Sequence, residues 1–181
     1  PDVAHLHMID HPLTPSILHA FRDHNIPVVK TCHQYKIVCP SYRLFIMHKN
    51  EICDRCVSGS FYNAVLTKCH KNSLPASALV ALESYIHRWM GIYDLIDVFH
   101  VPSQFLGSKL KQGGFAPEKI WHNFYTINLK DYPYHPEYED YYIYYGRLSQ
   151  EKGIMTLLHS AKKTPKAKLK IIGDGPQRAA L

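Results

Sequence analysis

The chain has 181 residues, of which 46% are hydrophobic and 20% are charged. This is the composition of an ordinary globular protein, so a disordered, collagenous or coiled-coil chain is excluded. No apolar run approaches the roughly 20 residues that cross a bilayer, so no membrane-spanning helix is expected. The net charge of +6 suits an anionic ligand, lipid or nucleic acid without choosing among them.

The first elements predict a β-α-β unit. Residues 2–9 form an apolar, strand-like run, and Thr14 and Pro15 then supply an N-cap and a proline at the first helical position, so a helix is expected to about His24. Residues 26–33 form a second apolar strand. Two short strands separated by a helix predict parallel pairing with a right-handed crossover, and therefore an α/β layer.

Periodicity is lost between residues 35 and 72, where four of the five cysteines lie: Cys39, Cys53, Cys56 and Cys69. A zinc ion held by four thiolates would stabilise so long an irregular stretch. It would be a structural site that determines the shape of the loop. Two alternatives stay open: reduced thiols packed as small hydrophobes, or a zinc site in which His70 or His48 replaces one cysteine. Cys32 lies within a predicted strand and is expected in the core.

The odd number of cysteines and the lack of a secretory signal at the start predict a reducing, cytoplasmic compartment. The chain opens at Pro1, without a start methionine, directly in a predicted strand. We therefore interpret it as a piece of a longer protein.

An amphipathic helix is expected over residues 76–93. Apolar residues recur there at helical spacing and predict a stripe that faces the core: Leu79, Leu82, Ile86, Trp89, Met90 and Tyr93.

A strand is expected at 97–101, followed by a helix that Ser103 caps and that ends near Gly113. Residues 118–123 form a further short strand. Prolines, acids and tyrosines without a period make 124–139 a linker, where we place a domain boundary.

A second β-α-β layer follows the linker. It has a strand at 141–145, a helix that Ser149 caps and that ends at Thr164, and a strand at 167–172; Gly175 then begins another helix. No internal repeat or low-complexity tract is present.

The segment from Gly146 to Gly153 lies where a strand ends and a helix begins, which is where open α/β sheets bind ligands. Unpaired amides of a first helical turn attract phosphate, and Arg147 and Lys152 add two cations. The competing interpretation is a capped helix with solvated charges. The glycine turn at Gly173 is not a dinucleotide fingerprint, because Arg178 stands where the last glycine is required.

Two segments together, YYGRLSQEKGIMTLLHSA and LKIIGDGP, resemble the opening of the nucleotide-sugar-binding domain of glycosyltransferase family four, which are retaining enzymes of GT-B fold. DVAHLHMI, PVVKTCHQY and VFHVPSQFLGSKLKQGGFAPEKIWHN are similar to the second half of that family's acceptor-side domain. The sequence departs at Phe124, where the family has a glycine. The resemblance implies a portion of a Rossmann-like acceptor domain over 1–123, a linker at 124–139, and the first β-α-β of a Rossmann-like donor domain over 140–181.

The resemblance implies transfer of a sugar from a nucleoside diphosphate sugar to an acceptor hydroxyl, with retention and without a catalytic metal. Arg147 and Lys152 match the pair that neutralises the leaving diphosphate, and His33 matches an active-site histidine that faces the donor sugar. With thirteen histidines in the chain, a packing or surface role for His33 is the alternative. The implied donor-binding residues are Gly146, Arg147, Ser149, Lys152 and Gly173.

The implied acceptor is a saccharide or a lipid-linked saccharide, in polysaccharide or glycolipid biosynthesis at the inner face of a membrane. Five lysines are compatible either with contact to anionic lipid or with an ordinary solvated surface: Lys162, Lys163, Lys166, Lys168 and Lys170. The competing hypothesis is a non-enzymatic zinc-loop module that binds nucleic acid. We disfavour nucleic acid as a partner because the basic cluster lies far from the cysteines in the chain. The chain alone is expected to be inactive.

Overall fold

The structure, a computed structural model, describes residues 1–10, 13–133 and 136–181. These residues form two compact units, Pro1–Ile127 and Asn128–Leu181. The boundary between the units falls inside the stretch 124–139 that we expect to be a linker, of which residues 134 and 135 lie outside the described residues. Within the described ranges, no helix has the length and apolar character needed to span a membrane.

The described residues form eight strands and five α-helices. The strands are β1 (Ala4–Leu6), β2 (Val28–Thr31), β3 (Phe45–Ile46), β4 (Glu51–Ile52), β5 (Val98–Val101), β6 (Ile120–His122), β7 (Tyr142–Tyr145) and β8 (Leu169–Ile172). The helices are α1 (Ile17–Asp23), α2 (Asn63–Thr67), α3 (Leu74–Trp89), α4 (Gln104–Gln112) and α5 (Ile154–Lys163).

The first unit is built on a parallel sheet of four strands in the order β1-β2-β5-β6. In this sheet Val29 of β2 pairs with His5 of β1 and with Val98 of β5. The predicted parallel pairing of the first two strands is confirmed. A parallel sheet flanked by helices makes the unit α/β, compatible with a Rossmann-like fold.

The core of the first unit lies between this sheet and its helices. Val28 and Phe99 contribute from the strands, while Leu18 of α1 and Leu110 of α4 cover them, and all four are almost completely buried. The predicted cap of α4 is confirmed, because the Ser103 hydroxyl accepts a hydrogen bond from the Leu106 amide at 3.2 Å.

The cysteine-rich stretch is less irregular than its sequence suggests. It contains the antiparallel hairpin of β3 and β4 and the short helix α2. A small apolar cluster of its own joins it to α3: Cys56, Phe61, Ala64 and Ala81. This cluster is separate from the main core of the unit.

The expected core stripe of α3 is wrong for most of its members. The face that α3 buries consists of the small residues Ser77, Ala81 and Ser84, which allow close packing against α2. The apolar stripe on the other side is exposed, most of all at Trp89, which is 88% exposed: Leu79, Leu82, Ile86, Trp89 and Met90. Tyr93 alone is buried, in a 3-10 turn beyond the helix. The spacing of the apolar residues therefore predicted the helix correctly but predicted the wrong buried face.

The second unit contains the two parallel strands β7 and β8, with Tyr142 opposite Leu169, and the helix α5. Ile154 is the fully buried residue of α5. The helix expected from Gly175 is only a 3-10 turn, Arg178–Ala180.

The exposed stripe gives a test by mutation. Leu82→Gln should change the free energy of unfolding by less than about 0.5 kcal/mol, because the side chain is already in solvent. Phe99→Ala should cost about 3–5 kcal/mol, because it empties a fully buried site. Urea unfolding followed by circular dichroism measures both. A loss above about 2 kcal/mol for Leu82→Gln would show that the stripe packs inside the folded protein.

Candidate functional site

Two glycine turns meet at one edge of the second unit. Gly146 follows β7 and Gly173 follows β8, and because the strands are parallel both turns lie at their carboxyl ends. The Gly146 amide donates to the carbonyl of Ile172 at 3.0 Å. A Cβ on Gly173, where φ is +152°, would overlap the carbonyl oxygen of Gly146. Only glycine fits that approach.

The two turns are joined by further backbone hydrogen bonds. The Leu148 amide donates to Asp174 O at 2.9 Å, and the Gln177 amide donates to Leu148 O at 3.0 Å. A Cβ on Gly175 would overlap Leu148 O. The Leu148 side chain is buried and anchors the first turn from inside. The backbones of the two turns are therefore in close contact, which leaves them little room for rearrangement.

Arg147 and Lys152 stand exposed on this surface. Within the described residues of the chain neither side chain is ion-paired, whereas Arg178 lies 3.6 Å from Asp174 and Lys170 lies 3.5 Å from Glu139. Two cations without carboxylate partners are available to an anionic ligand, which would gain charge-assisted hydrogen bonds from both.

The expected cap at Ser149 is wrong. A 3-10 turn, Gln150–Lys152, intervenes between β7 and α5, and the helix begins at Ile154, after Gly153 in the left-handed conformation. The Ser149 hydroxyl caps nothing: it is buried and has no hydrogen-bond partner among the described residues. A buried hydroxyl without a partner is costly, so it marks a place where a ligand or water would be stabilised.

Substitutions at Gly173 and Gly153 separate steric overlap from backbone strain. Gly173→Ala should destabilise the second unit strongly, because its Cβ meets a backbone carbonyl. Gly153→Ala is the matched control: φ is +69° there but no atom lies within 4 Å, so the cost should stay near 1 kcal/mol. Amide hydrogen exchange of β7 and β8 measures both. Equal protection in the two variants would contradict the proposed close approach.

His33 lies two residues beyond β2, not at the last strand position as expected, since the strand ends at Thr31. Both of its ring nitrogens are engaged. Nε2 is 2.8 Å from Nδ1 of His7, and Nδ1 is 2.6 Å from the Tyr125 hydroxyl. A neutral imidazole has one donor and one acceptor, so His33 donates in one of these bonds and accepts in the other. The three side chains form a continuous hydrogen-bonded chain.

A second chain of hydrogen bonds runs beside the first. The Asn123 carbonyl can only accept, so His100 Nε2 donates to it at 3.0 Å. In a neutral ring Nδ1 of His100 then accepts, and the Thr31 hydroxyl donates to it at 3.0 Å. The Thr31 oxygen in turn accepts from His5 Nε2 at 2.7 Å. The sequence alone did not identify His100 as part of this edge.

A buried ion pair supports this edge of the sheet. Lys30 of β2 lies 3.7 Å from Asp10, both almost fully buried, and its ammonium donates to the carbonyl of His7 at 3.0 Å. Oδ1 of Asp10 has no partner among the described residues. We missed this pair from the sequence, although a lysine inside the apolar strand VVKT was a visible signal.

Desolvation and neighbouring positive groups lower the pKa of two of these histidines, His33 and His5. Desolvation lowers the pKa of His33 below its usual 6.5, with further lowering by His7, Lys30 and other nearby positive groups. Burial likewise lowers the pKa of His5, and His7 and His100 add to the effect. A lowered pKa favours the neutral ring at both positions.

These shifts predict a pH dependence of stability. Between the lowered folded-state pKa of His33 and the unfolded value of about 6.5, the unfolded chain binds more protons. The free energy of unfolding should therefore rise with pH through this window and fall as the pH drops from 7 towards 5. Urea midpoints at several pH values, with an NMR titration of His33, measure this.

His33→Gln should make that slope shallower, while His24→Gln, at an exposed histidine outside both chains, serves as the control. An unchanged slope in His33→Gln, or a titration midpoint at or above 6.5, would contradict the assignment.

The four cysteines of the 35–72 stretch line one small cavity of about 10 Å³: Cys39, Cys53, Cys56 and Cys69. Cys32 does not line it and lies in the main core as expected. His48 and His70 line a different cavity, which shares Ser41 and Cys69 with the first. Burial raises the pKa of Cys56 to about 12, so the thiol is protonated when alone. Among the described residues, no three cysteine, histidine or acidic side chains are placed to hold a metal as they stand.

Comparison with models of protein families, with curated proteins and with solved structures found no match. The functional assignment is therefore our own proposal and depends on the geometry of the turns together with the sequence motifs.

Proposed function

We propose that the chain is a portion of a retaining glycosyltransferase of GT-B fold, which transfers a sugar from a nucleoside diphosphate sugar to an acceptor hydroxyl. The observation that carries the proposal is the surface of the two glycine turns, where Arg147 and Lys152 have no carboxylate partner among the described residues and stand at the carboxyl ends of parallel strands. Ligands of open α/β sheets bind at that end. The domain organisation implied by the resemblance, with acceptor-side residues 1–123 and donor-side residues 140–181, belongs to the same proposal.

The chemistry of the leaving group explains the two cations. As the bond between sugar and diphosphate breaks, negative charge accumulates on the diphosphate oxygens. Fixed positive groups stabilise this developing charge more than they stabilise the bound substrate, and so lower the barrier. We assign this role to Arg147, which offers a planar fork to two oxygens, and to Lys152, which offers a point charge.

The glycines and Ser149 would form the floor of the donor site. Gly146 and Gly173 let the phosphates approach the backbone, and the unpartnered hydroxyl of Ser149 can donate to an oxygen of the ligand. This replaces the capping role that we expected for Ser149 with a direct one.

On the acceptor side we assign a catalytic role to His33. Its position just beyond the carboxyl end of β2 supports this, because functional groups concentrate at such strand ends. Both nitrogens are engaged by His7 and Tyr125. A contact with a sugar hydroxyl therefore requires one of these two bonds to open, after which the remaining partner orients the ring.

The acceptor in this proposal is a saccharide or a lipid-linked saccharide, in cell-surface polysaccharide or glycolipid biosynthesis, at the cytoplasmic face of a membrane. Lys168 and Lys170 lie near Asp140 and Glu139. The three lysines that remain for anionic lipid are Lys162, Lys163 and Lys166.

Binding of inorganic pyrophosphate and nucleoside diphosphates tests the donor site directly. Amide resonances of residues 146–153 and 173–177 should shift on titration, and Arg147→Ala should weaken binding by at least about tenfold, as expected for loss of a charged hydrogen bond. Lys162→Ala, which removes the same charge from the other end of α5, is the matched control and should leave the affinity unchanged.

Equal weakening by Lys162→Ala would indicate diffuse electrostatic attraction and contradict a built site. Salt-sensitive binding of oligonucleotides that survives Arg147→Ala, without binding of any diphosphate, would favour the nucleic-acid module instead.

In the complete enzyme, Lys152→Ala should lower kcat more than it raises KM for the donor, because the charge acts mainly on the departing diphosphate. Steady-state kinetics with varied donor concentration measures the two constants. Equal losses in kcat and in donor affinity would refute that role. The chain alone is expected to bind the diphosphate without turnover.

A further inference from the structure

Four separate backbone segments bring the four cysteines to one cavity. Cys39 lies in the turns that follow β2, Cys53 directly follows β4, Cys56 lies in the next turn, and Cys69 follows α2. The cavity has room for about 10 Å³, the size of a single small ion or water. Residues up to thirty positions apart in the chain thus present thiols to one ion-sized space.

Backbone hydrogen bonds hold these segments in place. The Cys53 amide donates to Leu44 O at 2.9 Å, and the Cys39 amide donates to Tyr35 O at 2.8 Å. The Cys56 carbonyl accepts from the Gly59 amide at 2.8 Å. The backbone positions of these cysteines around the cavity are therefore fixed by the main chain.

The lining of the cavity determines which ligand it suits. No acidic or histidine side chain lines it within the described ranges of the chain, because His48 and His70 face the neighbouring cavity. Four soft thiol ligands, with only the hydroxyls of Ser41 and Thr67 beside them, select zinc over the harder magnesium or calcium ions. The alternative in which a histidine replaces one cysteine is thereby disfavoured.

The surrounding stretch contains strained backbone that such a cross-link would stabilise. Among the described residues, eight other than glycine have positive φ, and six of them lie here: Tyr42, Leu44, Asn50, Lys68, Lys71 and Asn72. Such conformations persist only where the surroundings enforce them. Leu44 is held by the main core, whereas the segment around α2 has only a small apolar cluster, to which Cys56 belongs and against which Cys69 packs.

We propose that this cavity closes on one Zn²⁺, coordinated by the thiolates of Cys39, Cys53, Cys56 and Cys69, as a structural site that fixes residues 35–72. Binding displaces four thiol protons, and the sulfurs turn inwards from their present positions to reach about 2.3 Å from the ion. The Ser41 hydroxyl, 3.4 Å from Cys39 Sγ, then donates to a thiolate. The site does not depend on the proposed glycosyl transfer.

Metal analysis of the chain tests the proposal. Protein purified under reducing conditions should contain about one zinc per chain by elemental analysis. Cys56→Ser should reduce this at least fivefold. Cys32→Ser is the matched control, since Cys32 is equally buried but lies outside the cavity, and it should retain the zinc.

A second measurement keeps the test decisive if Cys56→Ser does not fold. Wild-type protein loaded with Co²⁺ alone should show the intense visible absorption of a tetrahedral thiolate site, and zinc should abolish it. Iodoacetamide should modify the four cysteines only after a chelator has removed the metal. Folded, fully reduced protein with less than a fifth of a zinc per chain and no cobalt spectrum would overturn the proposal, as would disulfides among these cysteines in freshly prepared protein.

Discussion

Parallel pairing of neighbouring strands is the constraint on which two sheet edges depend: the edge with His33 in the first unit and the edge with the glycine turns in the second. When each strand runs in the same direction as its neighbour, residues that follow different strands arrive at one edge of the sheet. In the first unit this brings His7 and His33 within hydrogen-bond distance, although 26 residues separate them. In the second unit it brings the turns at Gly146 and Gly173 into backbone contact. The chemistry proposed for each edge follows from that arrangement.

Polar groups at these edges are retained at an energetic cost. The buried pair of Lys30 and Asp10 must offset the desolvation of two charges, and one carboxylate oxygen lacks a partner among the described residues. Replacing such a pair by apolar residues is often neutral or stabilising. In the second unit the Ser149 hydroxyl is likewise buried without a partner among the described residues. Costly groups of this kind concentrate where a ligand is bound, which agrees with the proposed donor and acceptor sites.

The cysteine-rich stretch meets a different requirement. Its strands have two residues each and its helix has five, so regular hydrogen bonding alone cannot stabilise it. Its first half and Val57 reach the main core, but the region around α2 is held only by a small separate cluster. A metal would provide the missing cross-link in the way that structural zinc does for other small modules. The two proposals are thus independent: one concerns the charge at the glycine turns, and the other the stability of a loop.

The sequence by itself determined the order of the elements outside residues 35–72, the parallel pairing of the first strands, the Ser103 cap and the glycine turns, because periodicity, capping and backbone freedom are local properties. It failed where the answer depended on neighbours distant in the chain. The apolar stripe of α3 marked a helix, but the small residues that allow contact with α2 decided which face is buried. A 3-10 turn separates Ser149 from the start of α5, so the Ser149 hydroxyl does not cap that helix. Only the tertiary structure joined Tyr125 to His33 and separated His70 from the cysteine cavity, because long-range hydrogen bonds and cavity lining depend on which segments meet in space.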